Sequence, residues 1–411
     1  MFAQLSRFPA AVWVVLLGTF LTRASFFMVW PFMAVILHNK FAMPQSQIGA
    51  ILSMTALAGA LFSLYVGFLS DKIGRKGVIV AACGIYVLAF ILLALASVAW
   101  LFAMGAVCVG MSRSMLEPPA RAMISDLIAD KSQRELAHHV RYYLVNVGAA
   151  FGPLVGLNLG FTGAQTTFWL VALAYGTWGL SFVWVFRRIN SNEEVPKIPY
   201  RFRDAMRVLR KDHAFLLLIL ANALVMYSYL HQETSLVQYL NQLGDRVVQI
   251  YTPIMLINAS IIVLLQFPIL KLLSNRSLLF RVNVGLIGFI GAFVMYGFIP
   301  LHGPVYWWYV ATVVLSLGEV VLFPTFSLLI DRIAPDHMRG TYFGASGLGA
   351  IGVSLSPLVG GIVLQFAGGP TLFFSTALVL LVAAWLYLRS DQELLNRQAQ
   401  TTVGSSVVTE P

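Results

Sequence analysis

Apolar residues along this chain come in long unbroken blocks, separated by short polar punctuation, with little of the alternation or one-sided spacing of soluble elements. Twelve blocks stand at about 11–37, 47–69, 78–98, 100–125, 139–160, 166–186, 214–240, 249–271, 278–299, 305–330, 341–366 and 371–388. About 20 apolar residues suffice for a helix to cross a bilayer. In lipid only helices and closed barrels satisfy their own backbone groups, and a barrel would alternate apolar with polar positions. The pattern therefore predicts an all-α polytopic membrane protein with twelve transmembrane helices. The first block lacks a small-residue cleavage site behind it and exceeds a signal-peptide core, so it is expected to be retained as a span.

One long polar interruption, "RRINSNEEVPKIPYRFRDAMRVLRKD" (187–212), separates six blocks from six. The expected organisation is an N-terminal six-helix bundle (1–186), a cytoplasmic linker (187–212), a C-terminal six-helix bundle (213–390) and a disordered cytoplasmic tail (391–411). Within the linker, Phe202, Ala205, Met206 and Leu209 fall at helical spacing among Arg201, Arg203, Arg207, Arg210 and Lys211. That pattern predicts an amphipathic basic helix lying on anionic membrane lipid. The halves repeat: Pro119, Asp126 and Arg134 map onto Pro324, Asp331 and Arg339 with a common offset of 205, and "SDK" (70–72) maps onto "SNR" (274–276). Parallel repeats of this kind occur in secondary transporters that bind substrate between the halves.

Composition narrows the class further. Hydrophobic residues make up 59% and charged residues 11% of the 411, against about 25% charged in a soluble domain. A net charge of +10 invites a nucleic-acid reading, but its placement argues against one. Lys72, Arg75 and Lys76 follow the second block, Lys131, Arg134 and Arg141 surround the junction of the fourth and fifth, and eight basic residues lie between Arg187 and Lys211. The opposite loops hold only Lys40 and Arg246. By the positive-inside rule both termini are expected in the cytoplasm. Cys83 and Cys108 lie within spans and match no metal or redox spacing, so they read as small buried apolar residues. No metal or cofactor is expected.

Five ionisable residues lie well within the blocks: Arg23, Arg113, Glu117, Glu233 and Glu319. Each costs roughly 2.5–3.5 kcal/mol at mid-bilayer on insertion scales, and such residues normally face the bundle interior or a wet cavity. Arg113 and Glu117, four apart, are expected to pair on one helix. Trp30, Tyr227, Tyr229 and Gln232 add aromatic and amide surface suited to an amphiphilic ligand, while His231 reads as polar packing. "GLGAIG" (347–352) has nucleotide-loop glycines but lies inside a block with no preceding strand, which predicts helix packing. No hydrolase, zinc or Walker pattern supports an enzyme.

The loop "GFLSDKIGRKG" (67–77) resembles the signature of the major facilitator superfamily, with Gly67, Asp71, Gly74, Arg75 and Lys76 at the matching positions. The likeness covers essentially the whole chain and implies the major facilitator fold, with this loop as a charged cytoplasmic gate. "NVGAAFGPLVG" (146–156) is similar to the fifth-span motif of the antiporter branches, through Gly148, Gly152, Pro153 and Gly156. Arg113 approximately occupies the place of the arginine embedded in proton antiporters, although Glu117 stands where a glycine is usual. "LGEVVLFP" (317–324) and "LEPPARA" (116–122) resemble drug:proton antiporters that export multiple drugs or small peptides. The resemblance implies proton coupling at Glu319 and Glu233, and a cavity lined by spans 1, 4, 7 and 10 that brings Arg23, Arg113 and Glu117 toward them. The expected protein is a monomeric, multi-pass, inner (plasma) membrane transporter. Its partners would be protons and a small-molecule substrate, drug-like or dipeptide-like. A proton-coupled importer or a uniporter is the alternative; a polytopic enzyme or receptor finds less support.

Overall fold

The computed structural model describes residues 5–6, 8–30, 33–43, 45–158, 165–188, 201–243 and 246–407, and every regular element among them is helical. The long helices are α1 (Ala10–Val29), α2 (Gln45–Ile73), α3 (Arg75–Leu95), α4 (Ala99–Leu127), α5 (Lys131–Asn158), α6 (Thr167–Arg188), α7 (His213–Glu233), α8 (Arg246–Leu273), α9 (Leu278–Phe298), α10 (Tyr306–Ile333) and α11 (Ala350–Val407). Ten stretches among the described residues are long and apolar enough to cross a membrane. The other two expected spans correspond to α5, whose first part carries Lys131, Arg134, Glu135, His138, His139 and Arg141, and to α11, which joins two spans at Gly368. There the backbone turns to φ 79° and ψ 174°, the left-handed region glycine tolerates without a Cβ clash.

Two compact units are present: Met1–Tyr200 with Ala334–Leu348, and Arg201–Ile333 with Gly349–Pro411. This differs from a C-terminal bundle running unbroken over 213–390. Ala334–Leu348 clusters with the first unit because its short helix, Arg339–Ala345, packs on α2 and α4. In the linker, Phe202–Lys211 is helical, burying Ala205 and Leu209 and exposing Arg203, Arg207, Arg210 and Lys211; residues 189–200 lie outside the described part.

The tail departs from expectation. Instead of losing order at 391, α11 continues to Val407. Leu394 is buried, Arg332 pairs with Asp391 at 3.0 Å, and Arg397 gives Asp212 two hydrogen bonds, 2.7 and 3.2 Å. These contacts hold the helix as far as Arg397. Residues 408–411 fall outside the described part.

Within the first unit α1 packs against α5 and α6, and α4 against α2 and α3. In the second, α7 packs on α11, and α10 on α8 and α9. Small residues set these approaches: a Cβ at Gly148 would stand 2.9 Å from that of Arg23, and one at Gly352 would strike the Ala223 carbonyl oxygen. Backbones meeting at glycine gain van der Waals contact that bulkier residues would prevent. The 347–352 glycines thus serve packing: a 3-10 turn over Ser346–Gly349 leads into α11.

Candidate functional site

In the second unit, Gly318 fills the contact between α10 and α9, where a Cβ would lie 2.6 Å from the Gly285 carbonyl oxygen. The next residue is turned by about 100° on a helix, and Glu319 points away from α9 toward α7 and α8. It stands at the middle of α10 and is 2% exposed. Asn258 of α8 donates its amide to Glu319 Oε2 at 2.7 Å and to Ser316 Oγ at 3.0 Å. From α7, the Tyr229 hydroxyl donates to Glu319 Oε1 at 3.3 Å. Glu233, one turn further along α7, is an exposed residue whose carboxyl lies close enough to interact with the same hydroxyl. One phenol therefore neighbours both acidic candidates. Phe289 and Phe323, at centroid distances of 6.1 and 4.9 Å, hold its ring.

Other span-7 candidates lie apart from this group. Tyr227 packs edge-on against His231 at 4.6 Å, and Gln232 is buried. His231 Nδ1 shares hydrogen bonds with Ser235 (2.9 Å) and Ser356 (3.1 Å), the packing role its sequence context suggested.

The first unit gathers cations. Arg23 of α1 forms an ion pair with Glu117 of α4, and Arg141 Nη2 of α5 meets Glu117 Oε2 at 2.6 Å. Arg121 Nη2 is 4.0 Å from the same oxygen. The expected Arg113–Glu117 pair is replaced: Arg113 lies over the Phe26 ring at 5.7 Å, and Phe26 stacks on Trp30 at 4.8 Å. Helix geometry explains the change. An acid four residues before its base, as Glu117 is before Arg121, is the favoured order, and Arg113 to Glu117 is the reverse. The glycine contact at Gly148 then draws α5 against α1 and supplies guanidiniums from both sides. Gly152 meets the same helix at Ala24; Pro153 and Gly156 continue α5, but their surroundings lie outside the described residues.

The signature loop forms a third cluster, also within the first unit. Asp71 accepts hydrogen bonds from the backbone N–H of Gly340 (2.8 Å) and Thr341 (2.6 Å), from the Thr341 hydroxyl (2.6 Å) and from Arg75 (2.8 Å). A carboxylate is thereby placed at the start of the short helix Arg339–Ala345, where free N–H groups favour negative charge. Arg75 also pairs with Asp126, which takes a further bond from Arg339 at 3.1 Å. Gly67 lets the segment approach, since a Cβ there would strike the Gly340 carbonyl oxygen. Gly74 turns the chain at φ 95°, and Lys76 donates to the Phe186 carbonyl at 3.1 Å.

Arg121, Arg141, Asn258, Ser316 and Thr341 were not anticipated as members of these groups. Arg121, Arg141 and Asn258 carried a signal, as charged or amide groups inside apolar blocks. Among the described residues no group of three or more His, Cys, Asp or Glu is placed to hold a metal ion.

Residues 15–350 match the family model described as Major Facilitator Superfamily. An uncharacterised MFS-type transporter, YqjV of Bacillus subtilis (strain 168), is 30% identical over 373 residues, covering 88% of this chain and 89% of that protein. A Na(+), Li(+), K(+)/H(+) antiporter of Planococcus maritimus is 25% identical, with 92% and 96% covered. Among solved structures, the human organic anion transporter MFSD10 (TETRAN) matches with a TM-score of 0.74 at 17% identity, over 92% of this chain and all of that one.

Proposed function

The chain belongs to the major facilitator superfamily and is a multi-pass secondary transporter rather than an enzyme; on that premise we propose that it is a proton-coupled antiporter exporting small amphiphilic or zwitterionic molecules by alternating access. The observation that carries this reading is the grouping of Glu319, Tyr229 and Glu233. A buried carboxyl at mid-span, bonded to a hydroxyl that lies near an exposed carboxyl, offers a proton a place to rest and a way to reach it. Tyrosine suits the middle position because its O–H both donates and accepts. Glu319 would take a proton when open to the outer side and release it inward. At about 100 mV one proton carries roughly 2.3 kcal/mol, enough for a gradient of about fifty-fold at full coupling.

The drug-exporter likeness of "LGEVVLFP" and the α5 glycines favour export. The cation/proton antiporter among the relatives supports proton exchange and adds alkali cations to the candidate cargoes. The basic loops favour the plasma membrane with both termini cytoplasmic.

The test is proton movement in inside-out vesicles holding wild type or Glu319→Gln. After a pH gradient is imposed, dipeptides, lipophilic cations and alkali cations are added in turn. A cargo that collapses the gradient only with Glu319 intact supports the reading. Equal responses from both proteins would remove Glu319 from coupling.

A further inference from the structure

The first unit holds more positive charge at mid-span than its own residues answer. Arg23, Arg121 and Arg141 surround Glu117, so three guanidiniums face one carboxylate. Arg113 adds a charge close enough to interact with Arg23 and Arg121. The Nε atoms of both Arg121 and Arg141 are buried without a hydrogen-bond partner. Guanidiniums are donors only and cannot shed their charge, and like charges repel strongly where water is scarce. A cluster built this way answers its surplus with an anion. Glu117 lies ten residues before the end of α4, about 15 Å along the helix at 1.5 Å per residue. The 29 residues of α4 make about 43 Å, longer than a hydrocarbon core of about 30 Å. A centred helix therefore puts Glu117 about 9 Å inside the core, deeper than a lipid headgroup sits.

We propose that Arg23, Arg121 and Arg141 form an anion subsite that takes the carboxylate of an organic acid or zwitterion, with Glu117 as the built-in carboxylate that the cargo displaces. The proposal rests on the transporter reading above, because it names the cargo's anchoring group. Side-chain exposures of 11% for Arg23, 18% for Glu117 and 19% for Arg121 leave an approach to the cluster. Planar guanidiniums bind carboxylates through paired N–H bonds, which gives direction as well as strength. Glu117 already demonstrates the fit of one carboxylate, held from α1, α4 and α5 together. The stacked phenols of Tyr86 and Tyr175, with ring centroids 4.0 Å apart, are buried within range of the Arg23 charge and back the cluster on its core side.

The experiment is a fluorescence titration of the full chain in detergent at fixed pH with two probes, dansylglycine and its neutral counterpart dansylglycinamide. Wild type should bind dansylglycine about tenfold more tightly than the amide, the scale of one charge-assisted hydrogen bond. Arg121→Gln should lower that preference several-fold, Arg23 and Arg141 keeping the rest. Glu117→Gln should tighten dansylglycine several-fold, because the competing carboxylate is gone; a purely structural ion cluster would not produce that gain. Should Glu117→Gln not elute as a single folded species, Arg121→Gln decides, since Arg121 stands furthest from the carboxylate. Equal binding of both probes, no binding of either, or a carboxylate preference undiminished in Arg121→Gln each overturns the proposal. Repeating the titration on Glu319→Gln protein separates this outcome from proton coupling: no gradient is involved, so an intact preference stands even where coupling fails.

Discussion

The two units handle a buried carboxyl in opposite ways. In the first, Glu117 meets Arg23, Arg141 and Arg121. In the second, Glu319 takes hydrogen bonds from a hydroxyl, Tyr229, and an amide, Asn258. The repeat offset that aligns Pro119 with Pro324 also aligns Glu117 with Leu322 and Ser114 with Glu319. Each acid therefore belongs to one half alone. The partners differ in what they permit. A hydroxyl can turn from donor to acceptor when its neighbour gains a proton, and an amide presents both kinds of group; a guanidinium only donates. The second unit's acid has company that can follow a change of protonation, and the first unit's acid has company suited to holding an anion.

Exchanging the aligned residues breaks this contrast most sharply. Glu117→Leu, which installs the residue of the other half, leaves three guanidiniums facing one another and should cost on the order of 3–5 kcal/mol. Glu319→Ser, the reverse exchange, should cost only about 1–3 kcal/mol, since Tyr229 and Asn258, both neutral donors, lose an acceptor rather than a charge balance. Thermal unfolding midpoints in detergent should drop clearly more for the first; equal drops would mean the two environments are not energetically different.

The glycine contact that assembles the arginine cluster gives the next effect. Gly148→Ala forces a Cβ to within 2.9 Å of that of Arg23, and overpacking of this kind costs about 1–3 kcal/mol. Gly84→Ala, on α3 with nothing within 4 Å, is the control and should change stability by no more than about 0.5 kcal/mol. Tyr229→Phe is the mildest for stability, because the ring keeps its contacts with Phe289 and Phe323. Its effect should appear in substrate-driven proton flux, lowered at least about tenfold, and unchanged flux would separate the hydroxyl from coupling.

Much of this was legible in the chain. Unbroken apolar blocks announce the spans, and an acid inside one stands out on cost alone, so Glu319, Glu117 and Arg23 were readable as candidates. Who meets whom was not. Arg141 follows a polar stretch and reads as an orientation charge until α5 is seen against α1. Arg113 looked like Glu117's partner because both are one turn apart, yet two other helices and Arg121 outcompete it. The hold of Asp71 on Gly340 and Thr341 spans about 270 residues of sequence, and no local pattern encodes a contact at that separation. The helical tail failed for a similar reason: its composition is polar, and its order comes from Leu394 and Arg397 finding distant partners.

That last contact has a consequence for biogenesis. Asp212 caps α7 through the Phe215 N–H at 3.0 Å and is gripped by Arg397, 185 residues later in the chain. The first span of the second unit to leave the ribosome therefore waits for Arg397, ten residues short of the end of α11, before its capping carboxylate meets an ionic partner. Until then the carboxylate must rely on water, and the half-made unit has no covalent or ionic clasp between its first and final helices. A nascent chain stopped short of Arg397 would hold every span and still lack the fastening that joins the beginning of the unit to its end.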